Sequence, residues 1–128
     1  MSEPRPAATP GVPPLLGRDY WLILSAPQEG TSPAAIESRV AEHVRWLLDL
    51  ERDGALFLSG PLLSGPGTGP GSGVTVIRAA GAAEAESVAA QDPFVLAGLR
   101  TFTVHRWRLN EGSVSVRISL GAGTHHWQ

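Results

Sequence analysis

The stretch HVRWLLDLERDGALFLSGP, His43 to Pro61, decides how the chain is read. It opens as the second half of an amphipathic helix, stops at Gly54, continues as a β-strand over ALFLS and turns at Gly60-Pro61. At roughly 100° per residue, His43 falls on the helical stripe of Ile36, Val40, Leu47 and Leu50. A titratable ring is therefore aimed at the apolar side. An unpaired buried polar group costs roughly 1–3 kcal/mol, so the rest of the chain is expected to supply a partner and a space beside it.

Working outward, the helix is predicted to begin at Ser32-Pro33, with Ser as N-cap and Pro at the first helical position, and to run to about Asp53. Before it, DYWLILS (Asp19 to Ser25) is a strand whose consecutive apolar residues require cover on both faces. After it, the segment from Gly60 to Gly73 holds six glycines and three prolines in fourteen residues and excludes regular structure. It matches no phosphate-binding glycine motif. GVTVIRA (Gly73 to Ala79) is a third strand, AAEAESVAAQ (Ala82 to Gln91) a helix stopped by Pro93, and RTFTVHRWRL (Arg100 to Leu109) a fourth strand. A fifth strand, Ser113 to Leu120, alternates apolar and polar residues and is predicted to be half-exposed. Three segments are expected: a disordered Pro-rich arm at 1–17, a domain at 18–120 and a loose tail at 121–128.

The order is β-α-β-β-α-β plus one strand. That is the ferredoxin-like α+β plan, with a four-stranded antiparallel sheet and an extra C-terminal strand. Two helices cover one sheet face only, yet the strands are apolar on both. An isologous homodimer stacked sheet to sheet is expected.

Composition narrows the function. The 128 residues carry a net charge of −2, against a nucleic-acid or membrane-surface partner. All ten basic residues are Arg, which excludes a lysine Schiff base, and there is no Cys, which excludes thiol nucleophiles and disulfides. No apolar run reaches the roughly 18–20 residues of a membrane span, and no signal pattern opens the chain, so a soluble cytoplasmic protein is expected. His125-His126 are adjacent, point apart in an extended tail and make a poor metal pair.

The helix His in EHVRWLLDLERDG, the strand and Gly-Pro of ALFLSGPL, the strand GVTVIRA and the Asp-Pro-Phe of QDPFVLAGL together resemble the YciI-related (YCII) family of the dimeric α/β-barrel superfamily. The resemblance covers about Asp19 to Leu109. It implies a His and an Asp meeting in a cleft, here His43 and Asp92, and its chemical precedent is dehalogenation of chloromuconolactones. The Gly/Pro loop and strand 113–120 depart from the family pattern and alter the cleft mouth or the dimer contact, so substrate does not carry over.

A carboxylate on one ring nitrogen fixes the tautomer and raises the basicity of the other. Such a pair suits proton abstraction beside a carbonyl, followed by elimination or isomerisation. The plainer alternative is a His satisfied by a helix-capping Asp. A small cofactor-free lyase or isomerase acting on an apolar carbonyl substrate, cyclic ones included, is the leading expectation. A non-catalytic small-molecule-binding or accessory dimer comes second. A cofactor-independent oxygenase comes third, because it would need an Asn where the single Asn110 lies beyond strand four. Ser25, Tyr20, Gly60, Pro61, Phe94 and Arg106 are the candidate substrate contacts: hydroxyls on strand one, a backbone donor at the Gly-Pro turn, the ring beside Asp92, and a carboxylate clamp on strand four. Arg100 and Arg108 share the strand face of Arg106, where ordinary surface solvation is the competing reading, and His105 is read as a core or interface residue.

Overall fold

A computed structural model describes residues 9–128, so the part of the expected N-terminal arm at 1–8 lies outside the described residues. Two compact units are present: Asp19–Arg108, and the described termini, 9–18 with 109–128.

In the larger unit the strands are β1 (Arg18–Pro27), β2 (Leu56–Pro61), β3 (Gly73–Ile77) and β4 (Arg100–Leu109). The helices are α1 (Pro33–Glu37), α2 (Val40–Arg52), α3 (Ala82–Ala89) and α4 (Pro93–Leu96). The strands form one antiparallel sheet in the order β2-β3-β1-β4, the ferredoxin-like arrangement. β1 pairs with β3 from Trp21↔Ile77 to Ser25↔Gly73, and β2 with β3 from Leu56↔Ile77 to Pro61↔Gly73, with an irregularity between Leu56 and Leu58.

That register assigns the two faces. Ile23 and Ile77 point to the helices and pack with Ala85 and Ala89 of α3; Trp21, Phe102 and Val104 close around them. Ala at the contact positions lets α3 sit close to the sheet. Leu22, Leu24, Val74 and Val76 alternate onto the opposite face. Leu24 and Leu58 remain 40% and 45% exposed there, while Tyr20 and Val76 are buried.

The single helix expected from Ser32 to Asp53 is broken. Ser32 caps α1 as predicted, its Oγ accepting the Ala35 N–H at 3.2 Å. Ser38 Oγ then donates back to the Ala35 carbonyl at 2.6 Å, and Arg39 leaves the helical region at φ −114°, ψ 1°. A hydroxyl that competes for a helix carbonyl bends or interrupts the helix, and α2 restarts at Val40.

In the second unit, β5 (Val116–Ser119) pairs antiparallel with β6 (Thr124–Trp127). Two expectations change. The tail 121–128 is not loose, because half of it is β6. The strand foreseen at 113–120 is shorter and joins this separate hairpin instead of the main sheet. Val114, Val116, Ile118 and Leu120 are all exposed, so its alternation does not mark a buried face. The Leu16 N–H donates to the Asn110 carbonyl within the same unit.

Candidate active site

α2 lies over β2 and β3 without sealing against them. Between them is a cavity of about 290 Å³, near the lower end of small-molecule sites. Ile36, Val40, Val44 and Leu47 give it an apolar wall on the helix side, and Thr75, Gly60 and Pro61 line the sheet side. Val40 and Val44 stay exposed, so the cavity opens beside them.

His43 lines this space with its side chain 13% exposed. Its Nδ1 lies 2.8 Å from Asp92 Oδ1. Asp92 arrives from the loop between α3 and α4. Pro93 confines it to an extended backbone, φ −54° and ψ 125°, from which its carboxylate caps α4 by accepting the Phe94 N–H at 2.9 Å. The other oxygen, Oδ2, accepts from Arg100 Nη1 at 3.0 Å. Burial raises the Asp92 pKa. The hydrogen bonds from His43 and Phe94, with the nearby charges of His43 and Arg100, outweigh burial and leave it below the usual carboxylate range.

An ionised Asp92 only accepts, so Nδ1 carries a hydrogen, and in the neutral form of the ring Nε2 holds the lone pair. Nε2 has no hydrogen-bond partner among the described residues, and no buried side-chain nitrogen or oxygen among them lacks one. Nε2 is therefore open to solvent at the cavity wall. The ring stacks on Phe94, with centroids 4.4 Å apart, which fixes its plane. This geometry can hold a neutral imidazole as a proton acceptor and stabilise it once protonated.

Of the other candidate contacts, Gly60, Pro61 and Phe94 line the cavity. Tyr20, Ser25 and Arg106 do not. Tyr20 is on the opposite sheet face against Phe57 and Trp107, at 4.4 and 6.4 Å. Ser25 shares the helix-bearing face but is buried on β1 next to Gly73, outside the lining. Arg106 and Arg108 converge on Asp19 at the far end of the sheet, Arg106 Nε at 2.8 Å and Arg108 Nε at 2.7 Å. Hydrogen bonds from Arg108, then Arg106, hold that carboxyl far below the usual range. His105 is exposed and bonds to Thr103, so it is not a core residue. Asn110 is not among the lining residues.

Sequence reasoning chose Arg106 as the cavity arginine over Arg100. It shares a face with Arg106 and Arg108, but only Arg100 lies under the helices. Its side chain is 6% exposed, its guanidinium sits 4.8 Å from the Phe94 ring centroid, and its Nε donates to the Gly71 carbonyl at 2.9 Å. Position along β4 was the available signal: Arg100 is the strand residue nearest Asp92 in the chain.

A ferredoxin-like sheet with a His–Asp pair at a lateral cavity defines a class of small α+β domains. Residues 20–108 match the YCII-related domain, and the chain belongs to that family. The matched span nearly coincides with the larger unit. A similar solved structure is 5-chloro-2-hydroxyhydroquinone dehydrochlorinase (TftG) from Burkholderia phenoliruptrix, in complex with 2,5-dihydroxybenzoquinone. It is 28% identical, with a TM-score of 0.57 over 69% of this chain and 92% of that one. Comparison with curated proteins found no match. No helix among the described residues is long and apolar enough to cross a membrane.

Proposed function

We propose that the chain is a small lyase or isomerase that works without a cofactor. His43 Nε2 is the general base and Asp92 its orienting partner. The observation that carries this reading is the 2.8 Å contact between His43 Nδ1 and Asp92 at the wall of an open cavity. The substrate is a small, largely apolar ring bearing a carbonyl, or a hydroxylated ring whose keto tautomer supplies one. Likeness to a dehydrochlorinase supports elimination as the reaction type.

For loss of HX, Nε2 takes a proton from the carbon beside the carbonyl. The C–H electron pair delocalises onto the oxygen as an enolate. Collapse of the enolate forms the double bond and breaks C–X, and the halide leaves with its pair. The proton passes from His43 to water, so the net change is loss of HX with no outside oxidant or reductant. A positioned general base contributes about 10²- to 10⁴-fold. The reading includes an isologous homodimer built on the open sheet face, supported by the exposure of Leu24 and Leu58.

The test is chloride release from 5-chloro-2-hydroxyhydroquinone by wild type and His43→Gln. The wild type is expected to release chloride, and the variant to lose roughly 10²-fold or more while its circular dichroism and melting are unchanged. A folded His43→Gln protein as fast as wild type overturns the assignment. A second reading, a ligand-binding module without turnover, is favoured by one fact: Asp92 also caps α4 and pairs Arg100, so the dyad has a structural duty. Binding without chloride release by the wild type would select it.

A further inference from the structure

Arg100 has more donors than the fold uses. Nη1 serves Asp92 and Nε serves the Gly71 carbonyl, but Nη2 has no partner among the described residues. Because no buried side-chain nitrogen there is left unsatisfied, Nη2 must reach solvent, and Arg100 is a cavity-lining residue. A Cβ placed on Gly73, itself in the lining, would lie 3.5 Å from Nη2, so the strand glycine leaves room beside that nitrogen. Thr75 is in the same position. It is buried and lines the cavity, and its Oγ1 has no hydrogen-bond partner among the described residues.

We propose that Arg100 Nη2 and Thr75 Oγ1 receive the substrate oxygen on which negative charge develops while His43 takes the proton. This rests on the reading of His43 as base and extends it to a substrate class. The ligand is a small ring with an enolisable or acidic oxygen next to the reacting carbon, and the bound species most favoured is the enolate or phenolate.

Two features support the assignment. First, one carboxylate positions both groups: His43 on Oδ1 at 2.8 Å and Arg100 on Oδ2 at 3.0 Å, and both side chains rest on the Phe94 ring. A donor and a base held by the two oxygens of one carboxylate are fixed relative to each other, and both residues line the same cavity. Second, the charges complement the reaction. Before proton transfer Asp92 and Arg100 cancel and His43 is neutral. After it, imidazolium, carboxylate, guanidinium and enolate alternate in sign. Donors fixed in advance where charge develops act most strongly in a site that excludes water. Thr75 suits the second place, since a hydroxyl donates to an anion without adding a charge that must be desolvated.

The experiment uses 2,5-dihydroxybenzoquinone, whose ring oxygens are anionic at neutral pH, as an equilibrium probe followed by its visible absorption. Wild type, Arg100→Lys and Thr75→Val are titrated at pH 7. Lysine keeps the charge facing Asp92 but cannot donate in three fixed directions. Arg100→Lys is expected to bind roughly ten- to a hundredfold more weakly, and Thr75→Val roughly two- to tenfold more weakly. Affinity equal to wild type in a folded Arg100→Lys protein overturns the inference, as does a wild type that does not bind the probe at millimolar concentration. If the arginine variant does not fold, a crystal of wild type with the quinone decides. A ring oxygen bonded to Nη2 supports the assignment, and one turned away from it overturns it. Binding is read without turnover, so failure here is separate from failure of His43 as base, which only the chloride assay of His43→Gln reads.

Discussion

Asp92 accepts three hydrogen bonds on two oxygens: from a ring on α2, from a backbone N–H on α4 and from a guanidinium on β4. Replacing it by Asn keeps the shape and removes the charge. A buried Arg100 is then left without its counter-ion, a loss worth about 3–5 kcal/mol when one member of a buried pair is deleted. Urea unfolding of Asp92→Asn at pH 7 is expected to show a loss of that order. The pH dependence has a definite sign. Asp92 titrates below its unfolded value, so its stabilisation is complete above about pH 4 and is lost as the pH falls through the lower, folded value. The gap between wild type and Asp92→Asn should therefore narrow below about pH 4. A gap that stays constant or widens on acidification would contradict this account. At this scale His43 was legible, because a polar ring on an apolar stripe is a sequence-level anomaly. Arg100 was not, since Arg100, Arg106 and Arg108 share one parity on one strand. Only the placement of the helices buries the first and leaves the other two at Asp19.

Between β2 and β3, the loop 62–72 has three glycines with positive φ, and Gly71 is the one packed against other side chains. Gly71 has φ +97°, and a Cβ there would lie 2.9 Å from Ile36 Cδ1 and 3.3 Å from Pro27 Cβ. Its carbonyl is the acceptor for Arg100 Nε. Gly71→Ala would strain the backbone and push the loop off α1, with a stability loss of roughly 1–3 kcal/mol in urea unfolding. It should weaken dihydroxybenzoquinone binding as Arg100 is released. A variant as stable as wild type would mean that the loop is not held there. Glycine and proline content announced a segment without regular structure, but not that one residue of it braces the site. The helix break at Ser38–Arg39 was illegible for a related reason. Apolar periodicity runs on across it, while the interruption comes from a hydroxyl competing for the Ala35 carbonyl.

For the whole molecule, the surface that bears on assembly is the sheet face turned away from the helices. In register, Leu58, Val76 and Leu22 form one row, and Gly60, Val74 and Leu24 the next. Leu22 and Val74 are half-buried and Val76 is buried, which leaves Leu24 and Leu58 as the exposed apolar side chains of these rows; exposed apolar residues on one sheet face mark an association surface. Sedimentation of wild type is expected to give a dimer, and Leu24→Glu a monomer. A wild type that sediments as a monomer would remove the sheet-to-sheet homodimer. By itself, the amino-acid order determined the β-α-β-β-α-β plan and an inward His in need of a partner, because local periodicity, caps and breakers are written in neighbouring residues; Asp92 as that partner came from the resemblance to the YCII family. Tertiary structure alone decided which arginine turns inward, where the cavity stays open and that the C-terminal strands pair with each other. Each of these depends on which surfaces meet, and an isolated strand or helix carries no record of what will cover it.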